Sequence, residues 1–310
     1  MLLEQFRSFY ARHYPDDMEK QIEYFSIFGG LGKEIDIDKP LEELIVSEIL
    51  DNYGQLHNAL WGLLLDESQY ARLLYVLATG DRRLFKAFNR AGFNNKNGGV
   101  AIDFLQNNHI LEIQHSREKN PRETHPNQKL KREDARHRIS HKMRFTKPFI
   151  RFWFYFIYPH AREIEQGIYE NVIKRFQMHQ HSYTSLVFEE LSELLLDYYT
   201  RDEEILTSGS YWDANVEIDL LAITKTQKIY VGECKWTNHK INKKELHKLY
   251  DKCTRLEISP TKILFFSKRG FSKELLGMQS PTLSLYSAED FSILLKNISS
   301  ADIKEGFLTL

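Results

Sequence analysis

The chain has few of the features that mark secreted, membrane and zinc-binding proteins. It holds two cysteines in 310 residues, Cys234 and Cys253, which excludes a disulfide framework and a cysteine-based zinc site. Such cysteine usage is typical of a reducing compartment, so we expect a cytoplasmic protein. A charge appears as early as Glu4, so the sequence predicts no signal peptide. The most hydrophobic run, Phe152–Tyr158, is far shorter than the roughly 20 residues that span a bilayer.

A nucleotide-binding P-loop is also missing. The glycine-rich stretch Gly29–Lys33 has Ile27 at the position of the first glycine of such a loop and Glu34 at the position of its hydroxyl residue. No other segment has the required spacing. We therefore expect no ATP site of this kind in the chain.

Charge is present in both signs but unevenly distributed. Residues 1–66 contain 13 Asp and Glu against 5 Lys and Arg, whereas residues 115–147 contain 11 Lys and Arg against 4 Asp and Glu. Residues 225–275 are again basic, with 13 Lys and Arg against 5 Asp and Glu. The two basic regions favour a polyanionic partner such as nucleic acid, although lysines that only solvate helix faces would give the same counts.

The length and the pattern along the chain predict an α+β protein of several domains. We expect a helical lid-like segment, a winged helix-turn-helix domain with a long basic wing tip, an aromatic helical connector and an α/β domain with its own core. Their predicted bounds are residues 1–66, 67–147, 148–181 and 182–300.

The winged-helix prediction rests on three short helical patterns and two strands between residues 67 and 147. Leu111–Ile113 and Met143–Phe145 are predicted to pair as the strands of the wing, with the polar segment Ser116–Ser140 as its tip. Winged helices read duplex DNA or act as spacers between proteins, and the sequence leaves both roles open.

Two apolar strand patterns in the last segment contain charged residues. Val216–Ile223 includes Glu217 and Asp219, and Ile229–Trp236 includes Glu233 and Lys235. Side chains alternate across a strand, so Glu217 and Asp219 are predicted to share one face, as are Glu233 and Lys235. Burying a charge is costly unless it is paired or binds a metal. A short turn between the strands would let Asp219 approach Glu233 and Lys235.

These residue types are the ones that phosphodiester hydrolysis requires. Two carboxylates hold Mg²⁺ or Mn²⁺ through oxygen, and a nearby lysine stabilises charge on the phosphate. Glu189, on a helix predicted over Ser182–Thr200, is a further candidate acid. The alternative is a structural ion pair at a sheet edge.

This constellation resembles the PD-(D/E)XK nuclease superfamily. The resemblance implies that the α/β domain has a restriction-endonuclease-like fold. It also implies that Asp219 and Glu233 bind the metal, that Lys235 serves catalysis and that Glu189 is the acid of the first helix. Ile218 stands where the superfamily pattern has proline.

A second resemblance covers most of the chain. Tyr211–Asp213, Glu217–Asp219, Gly232–Trp236 and Arg151–Phe154 are similar to the C-terminal domain of unknown function that is attached to archaeal-type P-loop ATPases. The chain looks like that family without the nucleotide-binding core, which implies that any ATPase would be a separate protein partner.

The sequence therefore predicts a Mg²⁺-dependent nuclease that acts on nucleic acid, with duplex DNA as the expected substrate. The alternative is an inactive nucleic-acid-binding or regulatory module that works with a separate ATPase. Cys234 faces away from Glu233 and Lys235 and is predicted to be a small buried hydrophobe. The candidate contacts to nucleic acid, which would otherwise be solvated surface residues, are Lys129, Lys131, Arg132, Lys240, Lys243 and Lys244.

Overall fold

The computed structural model describes residues 2–65, 67–118 and 139–303. It shows a mixed α+β architecture, with helices through the first two thirds of the chain and a five-stranded mixed sheet near the end. The helices are α1 (Leu2–His13), α2 (Met18–Phe28), α3 (Leu41–Leu44), α4 (Tyr53–Leu63), α5 (Ser68–Thr79), α6 (Leu84–Ala91), α7 (Asn95–Asn107), α8 (Pro148–Phe152), α9 (Ala161–Glu165), α10 (Glu170–Tyr199), α11 (Lys243–Arg255) and α12 (Lys273–Leu276).

Short π and 3₁₀ turns continue or follow several of these helices. The π turns are Ile45–Leu50 and Trp153–Ile157, and the 3₁₀ turns are Tyr158–His160, Ala288–Leu295 and Ser300–Asp302. No helix of the described residues is both long and apolar enough to span a bilayer.

The strands of the described residues form three sheets. They are β1 (Leu111–Gln114), β2 (Lys142–Phe145), β3 (Ile205–Thr207), β4 (Tyr211–Trp212), β5 (Glu217–Ile218), β6 (Leu220–Thr224), β7 (Ile229–Lys235), β8 (Lys262–Ser267) and β9 (Leu283–Ser287). The main sheet has the order β3-β6-β7-β8-β9, while β1 pairs with β2 and β4 pairs with β5. The pairs β3–β6 and β6–β7 are antiparallel, and β7–β8 and β8–β9 are parallel.

The predicted pairing between the two strands that flank the polar segment is confirmed. Leu111 lies opposite Phe145 and Ile113 lies opposite Met143, with α5, α6 and α7 immediately upstream. Most of the predicted wing tip, residues 119–138, lies outside the described residues. The winged-helix assignment itself stays a prediction.

The long helix α10 corrects one predicted boundary. The helix expected from Ser182 begins at Glu170, so it runs without interruption past the junction predicted between the connector and the α/β domain. The buried residues Val172, Phe176 and Tyr183 continue the apolar face of its second half, because they recur at the spacing of one helix face. The polar residues between them lie on the other faces.

The main sheet buries both of its faces, as alternation along its strands requires. One face packs with α10 in a core that also contains residues of the N-terminal helices, from Phe6 onward; Leu220, Cys234 and Phe266 belong to it. The opposite face packs with α11 in a second core, which includes Leu221 and Val231. The sheet therefore lies between α10 and α11, and each helix can place polar side chains at its edges.

Candidate functional site

The strand predicted over residues 216–224 is broken at Asp219. Glu217 and Ile218 form β5 and pair with β4, whereas Leu220 starts β6 and lies opposite Gly232 in the main sheet. The chain bends at Asp219 because the two halves pair with different partners. Strict alternation is therefore interrupted, and the prediction that one continuous strand face carries Glu217 and Asp219 was wrong.

The two acids accordingly have different surroundings. The side chain of Glu217 is 56% exposed and its Oε1 lies 2.6 Å from Nζ of Lys142, a lysine of β2 whose side chain is 4% exposed. Asp219 turns toward β7, where its Oδ2 accepts a hydrogen bond from the backbone N–H of Cys234 at 2.8 Å. No donor among the described residues reaches its other oxygen, Oδ1.

Asp219 lies in an unfavourable place for an ionised carboxyl group. Burial raises its pKa to about 8, and the neighbouring Glu233 and Glu189 add to the rise. The hydrogen bond from Cys234 and the charge of Lys235 oppose the shift without cancelling it. Asp219 thus lies within electrostatic reach of one carboxyl group of β7 and one of α10, and the charge of Lys235 does not offset burial and both acids.

Glu233 and Lys235 lie on the same side of β7, as predicted. Glu233 is 7% exposed, and Nζ of Lys235 donates to its Oε1 at 2.5 Å. A second lysine, Lys252 of α11, donates from Nζ to Oε2 at 2.7 Å. Sequence reasoning missed Lys252, because nothing in a basic helix shows which of its lysines returns to the strand.

Glu189 of α10 faces the same region from the other side of the sheet. It is half-buried, and its Oε1 accepts a hydrogen bond from the hydroxyl of Ser185 at 3.4 Å. Burial raises the pKa of Glu189, and the charges of Glu190 and Glu217 contribute to the increase, whereas Arg82 opposes it.

Glu189 and Asp219 line one narrow cavity. Its volume is about 10 Å³, which is close to the minimum that one water molecule needs. The cavity therefore has room for a water molecule or a small ion beside Asp219, but not for a nucleotide. A larger cleft of about 550 Å³ lies next to it, and Arg144 and Glu193 line both.

A buried network of charges borders the cavity and was not predicted. Glu190 of α10 is 8% exposed, and its Oε1 lies 3.2 Å from Nε of Arg144 and 3.8 Å from a guanidinium nitrogen of Arg82. Arg144 also binds Glu193 at 2.6 Å and Glu112 at 3.4 Å. Since Glu112 and Arg144 belong to the β1–β2 pair, this network ties that pair to α10.

Cys234 is buried, as predicted, and two nearby tryptophans are buried as well. Cys234 is 3% exposed on the α10 side of β7, and burial keeps the pKa of its thiol well above the ordinary value. Trp212 and Trp236 are each 2% exposed and belong to the protein interior. None of these three side chains is available to a solvent-borne substrate.

The candidate nucleic-acid contacts are only partly described. Lys240 and Lys244 are exposed around the start of α11, and Nζ of Lys243 lies 3.3 Å from Glu274. The remaining candidates, Lys129, Lys131 and Arg132, lie outside the described residues.

The carboxylates fit a divalent cation unequally. Asp219 offers one oxygen, Oδ1, that accepts no hydrogen bond from the described residues. Burial and the nearby acids disfavour its ionised form, and a bound cation would relieve this cost. Glu233 offers oxygens that two ammonium groups already hold. Within the described ranges no group of three or more His, Cys, Asp or Glu side chains is arranged to hold a metal ion. A cation shared by Asp219 and Glu233 therefore requires one lysine to move away.

Comparison with known proteins agrees with the second resemblance in its coarse form. Residues 153–249 match the family model DUF234, "Archaea bacterial proteins of unknown function". This range includes β4 through β7, where three of the four motifs of that resemblance lie, and the first half of α11.

An uncharacterized protein of Methanocaldococcus jannaschii is 25% identical to the chain over 191 residues. The match covers 60% of this chain and only 39% of that protein, so the chain spans well under half of its relative.

The structure of Can2 from Sulfobacillus thermosulfidooxidans in complex with cyclic tetra-adenylate covers 83% of this chain and 55% of its own, with 16% identity and a TM-score of 0.29. A TM-score this low supports no inference about function.

Proposed function

We propose that the protein is a metal-dependent nuclease that hydrolyses phosphodiester bonds in nucleic acid. In this proposal α10 and the chain that follows it, through residue 300, form a PD-(D/E)XK-type domain, and residues 67–147 form a winged helix that docks duplex DNA. The observation that carries the proposal is the contact of Asp219 with β7. Its Oδ2 accepts the N–H of Cys234 at 2.8 Å, the flanking residues Glu233 and Lys235 pair with each other, and Glu189 lines the same cavity as Asp219.

The residues have distinct roles in this reaction. Asp219 and Glu233 would hold Mg²⁺ or Mn²⁺ through carboxylate oxygens, the ligands that these hard cations prefer. The bound cation would polarise the phosphoryl group and lower the pKa of a water molecule. Lys235, on the same side of β7 as Glu233, would orient that water or stabilise the negative charge that develops on the phosphate. Glu189 would complete the acidic rim of the cavity.

A second candidate function is non-catalytic binding of nucleic acid, in partnership with a separate ATPase. The double pairing of Glu233 with Lys235 and Lys252 favours it, because a carboxylate held by two ammonium groups is stable without a metal. In that case the basic surfaces would bind the phosphate backbone, and the acids would serve only as internal partners for lysines.

Cleavage assays separate the two functions. Supercoiled plasmid and labelled duplex and single-stranded oligonucleotides are incubated with the protein in Mg²⁺ or Mn²⁺. Asp219→Asn and Lys235→Met are the test variants, because Asn keeps an acceptor for the Cys234 N–H and Met keeps most of the lysine stem. Asp202→Asn is the matched control, since the side chain of Asp202 is 92% exposed.

We expect both test variants to lose about 100-fold or more of the cleavage rate, the usual cost of removing a group that stabilises developing charge. The control variant should cleave like the wild type. Equal background cleavage by all four proteins would exclude the nuclease. Salt-dependent binding without cleavage would instead establish the binding module.

A further inference from the structure

Lys252 binds one of the two carboxylate oxygens of Glu233, a residue that would hold the metal in the proposed nuclease. Its Nζ lies 2.7 Å from Oε2 of Glu233, on the opposite oxygen from the one that Lys235 binds. The side chain of Lys252 is 28% exposed, whereas that of Glu233 is 9% exposed. The lysine therefore reaches from a solvent-accessible position into a mostly buried site.

The packing of α11 explains why Lys252 arrives there. The helix begins at an Asn242 cap, and its buried residues Leu246, Leu249 and Cys253 press one face onto the sheet. Lys252 directly precedes Cys253, so it lies at the edge of that buried face and not on the outer side of the helix. Its position is fixed by the core beneath it.

Two further lysines continue from Lys252 along the helix. Lys248 and Lys244 precede it by one and two steps of four residues, which places the three on one slowly turning stripe. Both are exposed, and the stripe is about 12 Å long at the rise of an α-helix. Lys252 is thus the inner end of a basic row that starts in solvent and ends at Glu233.

Charge is distributed unevenly between the two acids. Glu233 binds two ammonium groups directly, while Asp219 accepts only a backbone N–H. A divalent cation placed between these carboxylates would repel the nearest ammonium groups. Lys252 has the freedom to withdraw, because its flexible stem comes from a helix edge that is partly open to solvent.

We propose that Lys252 is a second ammonium of the active site: it holds Glu233 in the metal-free protein, gives up this carboxylate to the divalent cation, and then binds a phosphate of the substrate strand. This inference rests on the proposed nuclease function. It adds a residue nineteen positions downstream of Glu233 to the site, and it makes α11 the path along which the phosphate backbone approaches.

The test compares the full chain with Lys252→Met, Lys252→Arg and the control Lys225→Met. Lys225 also forms an ion pair, 2.8 Å from Glu204, but it follows the far end of β6. Mn²⁺ binding is measured calorimetrically without substrate, and oligonucleotide cleavage is measured at saturating Mn²⁺. Circular dichroism verifies that each variant is folded.

We expect Lys252→Met to bind Mn²⁺ about fivefold more tightly than the wild type, the size expected for loss of one partly exposed competing ion pair. The same variant should cleave about 100-fold more slowly, because the phosphate loses an ammonium partner. Lys252→Arg should retain more activity than Lys252→Met, and Lys225→Met should match the wild type in both measurements. If Lys252 had a purely structural role, replacing it with Met would not increase the affinity of the protein for Mn²⁺.

Unchanged Mn²⁺ affinity or unchanged cleavage in Lys252→Met overturns the role of Lys252 while the wild type still cleaves in an Asp219-dependent manner. A wild type that neither binds Mn²⁺ nor cleaves overturns the nuclease itself, and the assigned role of Lys252 with it. The two failures are therefore distinguishable.

Discussion

The raised pKa of Asp219 predicts that this residue destabilises the metal-free fold near neutral and alkaline pH. The perturbation is Asp219→Asn, which preserves the size of the side chain and an acceptor for the Cys234 N–H, 2.8 Å away in the wild type. It removes the ionisable group whose pKa burial, Glu233 and Glu189 raise from 3.8 to about 8.

The sign of the effect follows from proton linkage. Between pH 4 and pH 8 the folded protein keeps a proton on Asp219 that the unfolded chain has released, so stability falls as the pH rises through this window. The penalty is small below pH 4 and complete above pH 8. A full difference of one proton corresponds to about 1.4 kcal/mol per pH unit. The edge of the side chain reaches solvent and nearby lysines can adjust, so we expect a net effect of about 2 kcal/mol from pH 5 to pH 8.

Urea unfolding at pH 5, 6, 7, 8 and 9, without metal, measures this effect. The free energy of unfolding of Asp219→Asn should exceed that of the wild type by about 2 kcal/mol more at pH 8 than at pH 5. The exposed control Asp202→Asn should run parallel to the wild type at every pH. If the difference between Asp219→Asn and the wild type does not change with pH, Asp219 is not a crowded buried carboxyl group and the argument for a cation site fails.

Three other predictions concern metal binding and the buried charges. Mg²⁺ or Mn²⁺ at pH 8 should raise the urea midpoint of the wild type but not that of Asp219→Asn, because a ligand that binds only the folded state stabilises it. Lys268→Met should lower the free energy of unfolding by about 3 kcal/mol, because it leaves Glu23, 2.7 Å away, without its buried partner; a loss below about 1 kcal/mol in urea unfolding would show that water replaces the lysine. Glu190→Gln should lower the free energy of unfolding by about 2 kcal/mol in the same assay, since the buried guanidinium of Arg144 loses one of its carboxylate partners. An unchanged urea midpoint would contradict this expectation.

Local sequence patterns predicted side-chain directions correctly where a single strand or helix determines them. Alternation along β7 placed Glu233 and Lys235 together and Cys234 on the other face, and the structure confirms this arrangement. The pairing of β1 with β2 was also close to the prediction. In each case the residue spacing itself carries the information, because side-chain direction follows from the period of the element.

The bend at Asp219 could not be found in the same way. Residues on both sides of Asp219 have strand-like composition, and the break arises because β5 pairs with β4 while β6 pairs with β3 and β7. The partner of a strand is a tertiary property that alternation does not encode. The start of α10 was different, because Val172 and Phe176 already showed the helical period and the polar residues around them obscured it.

Acidic residues of the N-terminal helix α2 form ion pairs with basic residues near the end of the chain. Glu19 and Glu23 of α2 bind Lys268, and Glu19 also binds Arg269 at 2.9 Å, so part of the positive charge of residues 225–275 is neutralised by the acidic N-terminal segment of the same chain. These ion pairs show that α2 covers basic residues of the same chain.

Charge counts therefore overstate the surface that remains for a polyanion in this region. What is left includes Lys244 of α11, which is exposed, whereas Lys248 is exposed but lies 2.7 Å from Glu245. This is also the row that leads to Lys252 and Glu233. Because Glu19 and Glu23 already pair with the lysine and arginine that follow β8, a phosphate backbone bound as in the proposed function would instead meet α11, where Lys252 leads to Glu233 and Lys235.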